Sequence, residues 1–116
     1  MARTNVPVGR YGRGASGLDK STVTAVAGNT VDGMIVVNTG RTMVDIDNTN
    51  GAATSHIATF LPIGNIEGVS VTIPETIAAG KTIGYGPFPV DKYGSQLKIN
   101  ANHAELTFIA WELPVS

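Results

Sequence analysis

The 116-residue chain contains no cysteine. That excludes disulfide staples, thiolate nucleophiles and every zinc site that needs sulfur. Histidine is nearly absent too. His56 and His103 stand in unrelated contexts, and neither belongs to an H-x-E or H-E-x-x-H arrangement, so spacing alone assembles no metal centre. Charge is scarce: 15% of residues carry it, against roughly a quarter in an ordinary soluble domain. The net charge of −1 gives no electrostatic case for nucleic acid or an anionic membrane. Met1–Asn5 lacks the apolar stretch of a secretory signal. No apolar run approaches the roughly 20 residues that a membrane-spanning helix needs. A soluble chain made in a cytoplasm is expected.

What fills the gap is Thr, Asn, Ser and Gly. A surface of small polar groups is cheap to desolvate, because few ions must lose water. Such a surface suits a module that works against a partner, and it equally suits a plain β-domain.

Two zones differ along the chain. Residues 1–20 hold Arg3, Arg10, Arg13 and Lys20 against Asp19 alone, a net charge of +3, while the remainder carries −4. Gly9, Gly12, Gly14 and Gly17 make this stretch too costly in chain entropy for a helix or an interior strand. The expectation is an extended basic arm over 1–20 that orders on a partner, followed by one folded domain over 21–116.

From Ser21 onward, short runs of β-branched residues alternate with turn signals every eight to twelve residues. The runs predict strands at Ser21–Ala27, Gly33–Asn38, Arg41–Asp47, Ser55–Leu61, Val69–Ile73, Lys81–Gly86, Gln96–Ala101 and Glu105–Leu113. Asn38-Thr39-Gly40 reads as the clearest hairpin turn, with a second at Asn100–Ala104. No window beyond a single turn has helical spacing. The fold class expected is all-β, an antiparallel sandwich or barrel-like module. In the last strand Leu106, Phe108 and Ala110 share one face while Ile109, Trp111 and Leu113 share the other. Two apolar faces mark either a central strand or one that meets another subunit.

Each possible chemical site has a plainer reading beside it. His56 alternates with Ala58 and Phe60, the pattern of a half-buried strand histidine, and His103 falls in a turn. Asp45-Ile46-Asp47-Asn48-Thr49-Asn50-Gly51 offers oxygens at alternate positions as a calcium loop does, but its glycine falls one place late and His56 stands where a bidentate glutamate belongs. Gly9-Arg10-Tyr11-Gly12-Arg13-Gly14 has no Lys-Ser/Thr, no strand before it and no helix after it, so it is no phosphate loop. In Gly84-Tyr85-Gly86-Pro87-Phe88-Pro89 the prolines end the preceding strand; Phe88 should close the core, and Tyr85 stays open between core and interface. No nucleophile, acid–base pair or cofactor cradle emerges, and no enzymatic activity is expected.

Four segments carry a resemblance. They are the opening Met1-Ala2-Arg3-Thr4 with Val6-Pro7-Val8, the Asn-Thr-Asn-Gly turn at 48–51, Thr82-Ile83-Gly84-Tyr85-Gly86-Pro87-Phe88, and the closing Glu105–Pro114 with its Leu-Pro pair. Together they resemble small tailed-phage head decoration or minor capsid proteins. The Gly-Arg-rich stretch at 9–17 departs from that pattern. The resemblance implies a virion protein on the outer capsid surface, bound to the major capsid protein and oligomeric, with a trimer favoured. Partner contacts would then fall to Arg3, Arg10, Tyr11 and Arg13, and subunit contacts to Tyr85, Ile109, Trp111 and Leu113. A carbohydrate- or receptor-binding module of a fibre or tail, stacking ligands on Tyr11, Tyr85, Tyr93 and Trp111, is the alternative.

Overall fold

A computed structural model describes residues 3–10, 25–63, 65–66, 69–70 and 72–113. The chain folds as an all-β sandwich of two five-membered sheets. One contains β1 (Thr4–Asn5), β4 (Met34–Val37), β11 (Gln96–Ala101), β6 (His56–Leu61) and β9 (Ile73–Ile77), in that order across the sheet. The other runs β10 (Thr82–Tyr85), β5 (Thr42–Asn48), β12 (Leu106–Glu112) and β2 (Val8–Arg10), with β3 (Val26–Ala27) also pairing β12. A small ribbon of β7 (Asn65–Ile66) and β8 (Val69–Ser70) stands apart, and a single helical turn, α1 (Val90–Tyr93), leads into β11. Among the described residues no helix is long and apolar enough to cross a membrane.

Period-two patterning makes the core. In β5, Val44 and Ile46 point inward, in β11 Leu97 and Ile99, in β12 Leu106, Phe108 and Ala110, and all are buried between the sheets. Residues on the alternate positions of β11 (Gln96, Lys98, Asn100) face water. Burying a large aliphatic or aromatic side chain is worth about 1.5–3 kcal/mol, and this interleaved set holds the layers together.

Three expectations are corrected. The sheets are mixed rather than purely antiparallel, because β1 pairs β4 and β2 pairs β12 in parallel. Residues 3–10 are accordingly not a free arm. They cross from one sheet to the other, and Val6, between the two short strands, is fully buried in the core. Residues 11–20 lie outside the described residues. The third correction concerns the turns. Asn38-Thr39-Gly40 joins β4 to β5, and 102–105 joins β11 to β12, and each pair of strands lies in opposite sheets. Turn residues report that the chain reverses, not whether its two limbs lie side by side or face to face.

Several strand boundaries moved. The strand expected at Val69–Ile73 is divided, with β8 ending at Ser70 and β9 beginning at Ile73. β9 carries Pro74, which an edge strand tolerates because one row of its N–H groups has no ladder partner. The prolines after Tyr85 end β10 as expected.

Candidate functional site

Two places on the sandwich gather chemistry. The first lies where edge strands β9 and β10 face each other across the open side of the sandwich. A cavity of about 270 Å³ opens there, walled by Phe60, Tyr85, Phe88 and Tyr93 with Glu75 and Lys92 among its lining. The rings lock one another. Phe60 lies 5.1 Å from Tyr85 and 5.4 Å from Phe88, and Phe88 meets Tyr93 edge-on at 5.2 Å. Lys92 Nζ sits 5.5 Å from the centre of the Tyr93 ring. Phe88 is buried and closes the core, as the sequence predicts. Tyr85 packs on the core and forms part of the groove wall. The groove fits a small apolar or aromatic group, with one charge of each sign at its edge.

Burial pushes the Tyr85 phenol above its ordinary value, and the Glu75 carboxylate adds to the rise. One of the three tyrosines should therefore ionise at distinctly higher pH than an unperturbed phenol in an absorbance titration near 295 nm. Glu75→Gln should bring that step down. Because the folded-state value is raised, the stability tied to Tyr85 is fully present below the ordinary phenol range, and it is lost as pH climbs through the raised value. A titration in which Glu75→Gln leaves every step unmoved would contradict this pairing.

The second place is at the opposite end of the strands. His56 begins β6 and is buried with Ala58 and Phe60 on the core side, as its alternation predicts. His103 lies in the β11–β12 turn. The structure brings together what the sequence kept apart: the two imidazoles stack with centroids 4.3 Å apart and planes 10° from parallel. Glu105 Oε1 is 2.8 Å from His56 Nε2 and 3.4 Å from His103 Nδ1. Asn50 Nδ2 donates to the same oxygen at 2.9 Å, and the Glu105 backbone N–H donates to His103 Nδ1 at 3.0 Å. Hydrogen bonds from Asn50 and His56 hold the Glu105 carboxyl below its ordinary range. Sequence reading missed this cluster because 46 residues lie between the histidines and only the pairing of β6 with β11, just before the turn, brings them together. Periodicity did flag one half of it, by placing His56 on the core side.

The remaining sequence-derived residues separate. Arg3 is engaged inside the fold, where Nη1 bonds Asn100 Oδ1 at 2.8 Å and reaches the Ile99 and Met34 carbonyls at 3.4 Å. Gly33 makes room for it: φ is +78°, and a side chain there would collide with the guanidinium. Arg10 ends β2 opposite Glu112, while Tyr11 and Arg13 lie outside the described residues. Ile109 is half-buried, and Trp111 is 6% exposed without belonging to the central core cluster. Leu113 is half-buried, its N–H donating to the Arg41 carbonyl. β12 is thus an interior strand, flanked by β5 on one side and by β2 and β3 on the other. Asp45 and Asp47 sit half-buried on one face of β5. The oxygens of the following loop serve its own turns: Asn48 Oδ1 accepts from the Asn50 N–H and Asn50 Oδ1 from the Ala52 N–H. No family model, curated protein or solved structure matches the chain.

Proposed function

We propose that this chain is a viral structural protein, a decoration module that binds the outside of a phage head and stabilises the shell. The observation that carries the reading is the construction of the N-terminal segment. Residues 3–10 are fixed by parallel pairing to both sheets, by Val6 in the core and by the Arg3 hydrogen bonds. The basic, glycine-rich sequence that follows therefore starts from a fixed point on the sheet edge beside the end of β12. A segment fixed in both sheets gives contacts made from this edge a rigid base, which lowers the ordering cost of binding a partner. Exposed Ile63 and Val90 add apolar contact area, and many weakly bound copies sum their contributions over a shell.

Sedimentation with purified heads of the encoding phage tests the proposal. The chain should pellet with heads at micromolar concentration, and Arg10→Ala with Arg13→Ala should lower the bound fraction several-fold. A chain that stays in the supernatant is not a decoration protein. The glycan-reading alternative draws on the aromatic groove, but its rings pack on one another at tilted and edge-on angles instead of offering a flat exposed platform. Saturable binding on a glycan array would favour it.

A further inference from the structure

The geometry points to a divalent transition-metal site formed by His56 Nε2, His103 Nδ1 and Glu105 Oε1, of the zinc class. The site stands independently of the decoration reading. Its three ligand atoms lie within 4.8 Å of one another.

The convergence of two imidazoles and one carboxylate carries the argument. Because the Glu105 backbone N–H donates to His103 Nδ1, that nitrogen holds no proton, and its one in-plane lone pair becomes a ligand when a cation displaces that N–H. Glu105 Oε1 stands 3.4 Å away, and it too is an acceptor. A cation bound between these two atoms replaces the N–H as the partner of Nδ1. The spacing of His103 Nδ1 and Glu105 Oε1 fits. Zinc–nitrogen and zinc–oxygen bonds of about 2.0–2.2 Å at a tetrahedral centre place neighbouring ligand atoms roughly 3.3–3.5 Å apart. His56 Nε2, now 2.8 Å from the same oxygen, joins the set by giving up its proton and withdrawing by about half an ångström.

The surroundings are built as a supporting shell. Asn50 Nδ2 orients the carboxylate. The turn that carries His103 and Glu105 is pinned from both sides: Asn102 exchanges hydrogen bonds with the Ile57 backbone, and Thr49 donates to the Glu105 carbonyl through both its N–H and its hydroxyl. Two imidazoles and one carboxylate select zinc, cobalt or nickel over calcium and magnesium, which take all-oxygen shells. Three protein ligands leave a fourth position for water, and the half-exposed His103 side chain leaves the site open to solvent.

The test uses the full chain, freed of metal by chelation, and Zn²⁺ alone. Calorimetric titration should give one Zn²⁺ per chain with a Kd in the micromolar range or tighter, and Ca²⁺ at the same concentrations should give none. His103→Ala, on an exposed turn residue, should retain the circular dichroism of the fold and weaken Zn²⁺ binding at least tenfold. Glu105→Gln should do likewise, and the ring-proton resonances of both histidines should shift in the unmodified chain. Absence of binding at about 100 µM Zn²⁺, or equal affinity in His103→Ala and the unmodified chain, overturns the site.

Discussion

Val6→Asp is expected to unfold the domain at neutral pH. Val6 is fully buried in the core, between a strand in each sheet. A carboxylate placed there has no partner among the surrounding aliphatics, so it either stays ionised at a cost of several kcal/mol or takes up a proton at a smaller but still large cost. A domain of this size holds about 5–15 kcal/mol in total. The expected loss of more than about 4 kcal/mol leaves little of it. Val6→Ala is the milder companion and should cost roughly 1–3 kcal/mol. Urea denaturation followed by far-ultraviolet circular dichroism reads both. Were residues 3–10 a loose arm, the two substitutions would fall within about 0.5 kcal/mol of the unmodified chain.

Asn48→Ala should remove about 2–4 kcal/mol, although it deletes only a small polar group. Asn48 is fully buried at the end of β5, and each part of its amide has a job. Nδ2 donates to the Ile77 carbonyl at 2.8 Å and to the Thr54 carbonyl at 3.0 Å, while Oδ1 accepts from the Asn50 N–H at 3.0 Å. Alanine strips those donors from carbonyls in a dry corner and also unfastens the 49–55 loop that holds Asn50 against Glu105. Asn48→Asp should be at least as damaging, since a carboxylate turns both donor contacts into repulsions. Equilibrium denaturation gives the magnitude, and faster amide exchange over 49–55 locates it. A change below about 0.5 kcal/mol would show that the amide is dispensable.

Much of the sandwich was legible because period-two alternation is a local property. Leu97, Ile99 and Ala101 opposite Gln96, Lys98 and Asn100 placed β11 to the residue, and the Leu106–Ala110 face placed β12. What escaped depends on remote partners. Val6 and Val8 are too few to announce a strand, and β1 and β2 exist because β4 and β12 offer them edges. The asparagine-glycine turns were visible as reversals, but which sheet receives the returning strand depends on packing between layers. The histidine cluster escaped for the same reason. His56 was rightly assigned to an inward face, yet its neighbour His103 arrives from the far end of another strand, and no spacing rule encodes that meeting. The hydrogen bonds of Arg3 to Asn100 and to two carbonyls of its own fold were likewise invisible, because all three partners are remote in sequence.

The alternation of strands between sheets also bears on the order in which the molecule can be made. Apart from the β7–β8 ribbon and the β6–β9 pair, neighbouring strands come from distant parts of the chain, and Val8 of β2 waits for Ala110 of β12, about a hundred residues later. The second sheet therefore cannot close around its central strand until that strand has left the ribosome. At a synthesis rate of about 5–20 residues per second, the first strands wait many seconds with their hydrogen-bonding edges unmatched. The sparing use of charge that suits the finished surface gives the nascent chain little electrostatic protection during that interval. Closure of this sheet in the cell should accordingly wait for the synthesis of β12 and be sensitive to chaperone supply.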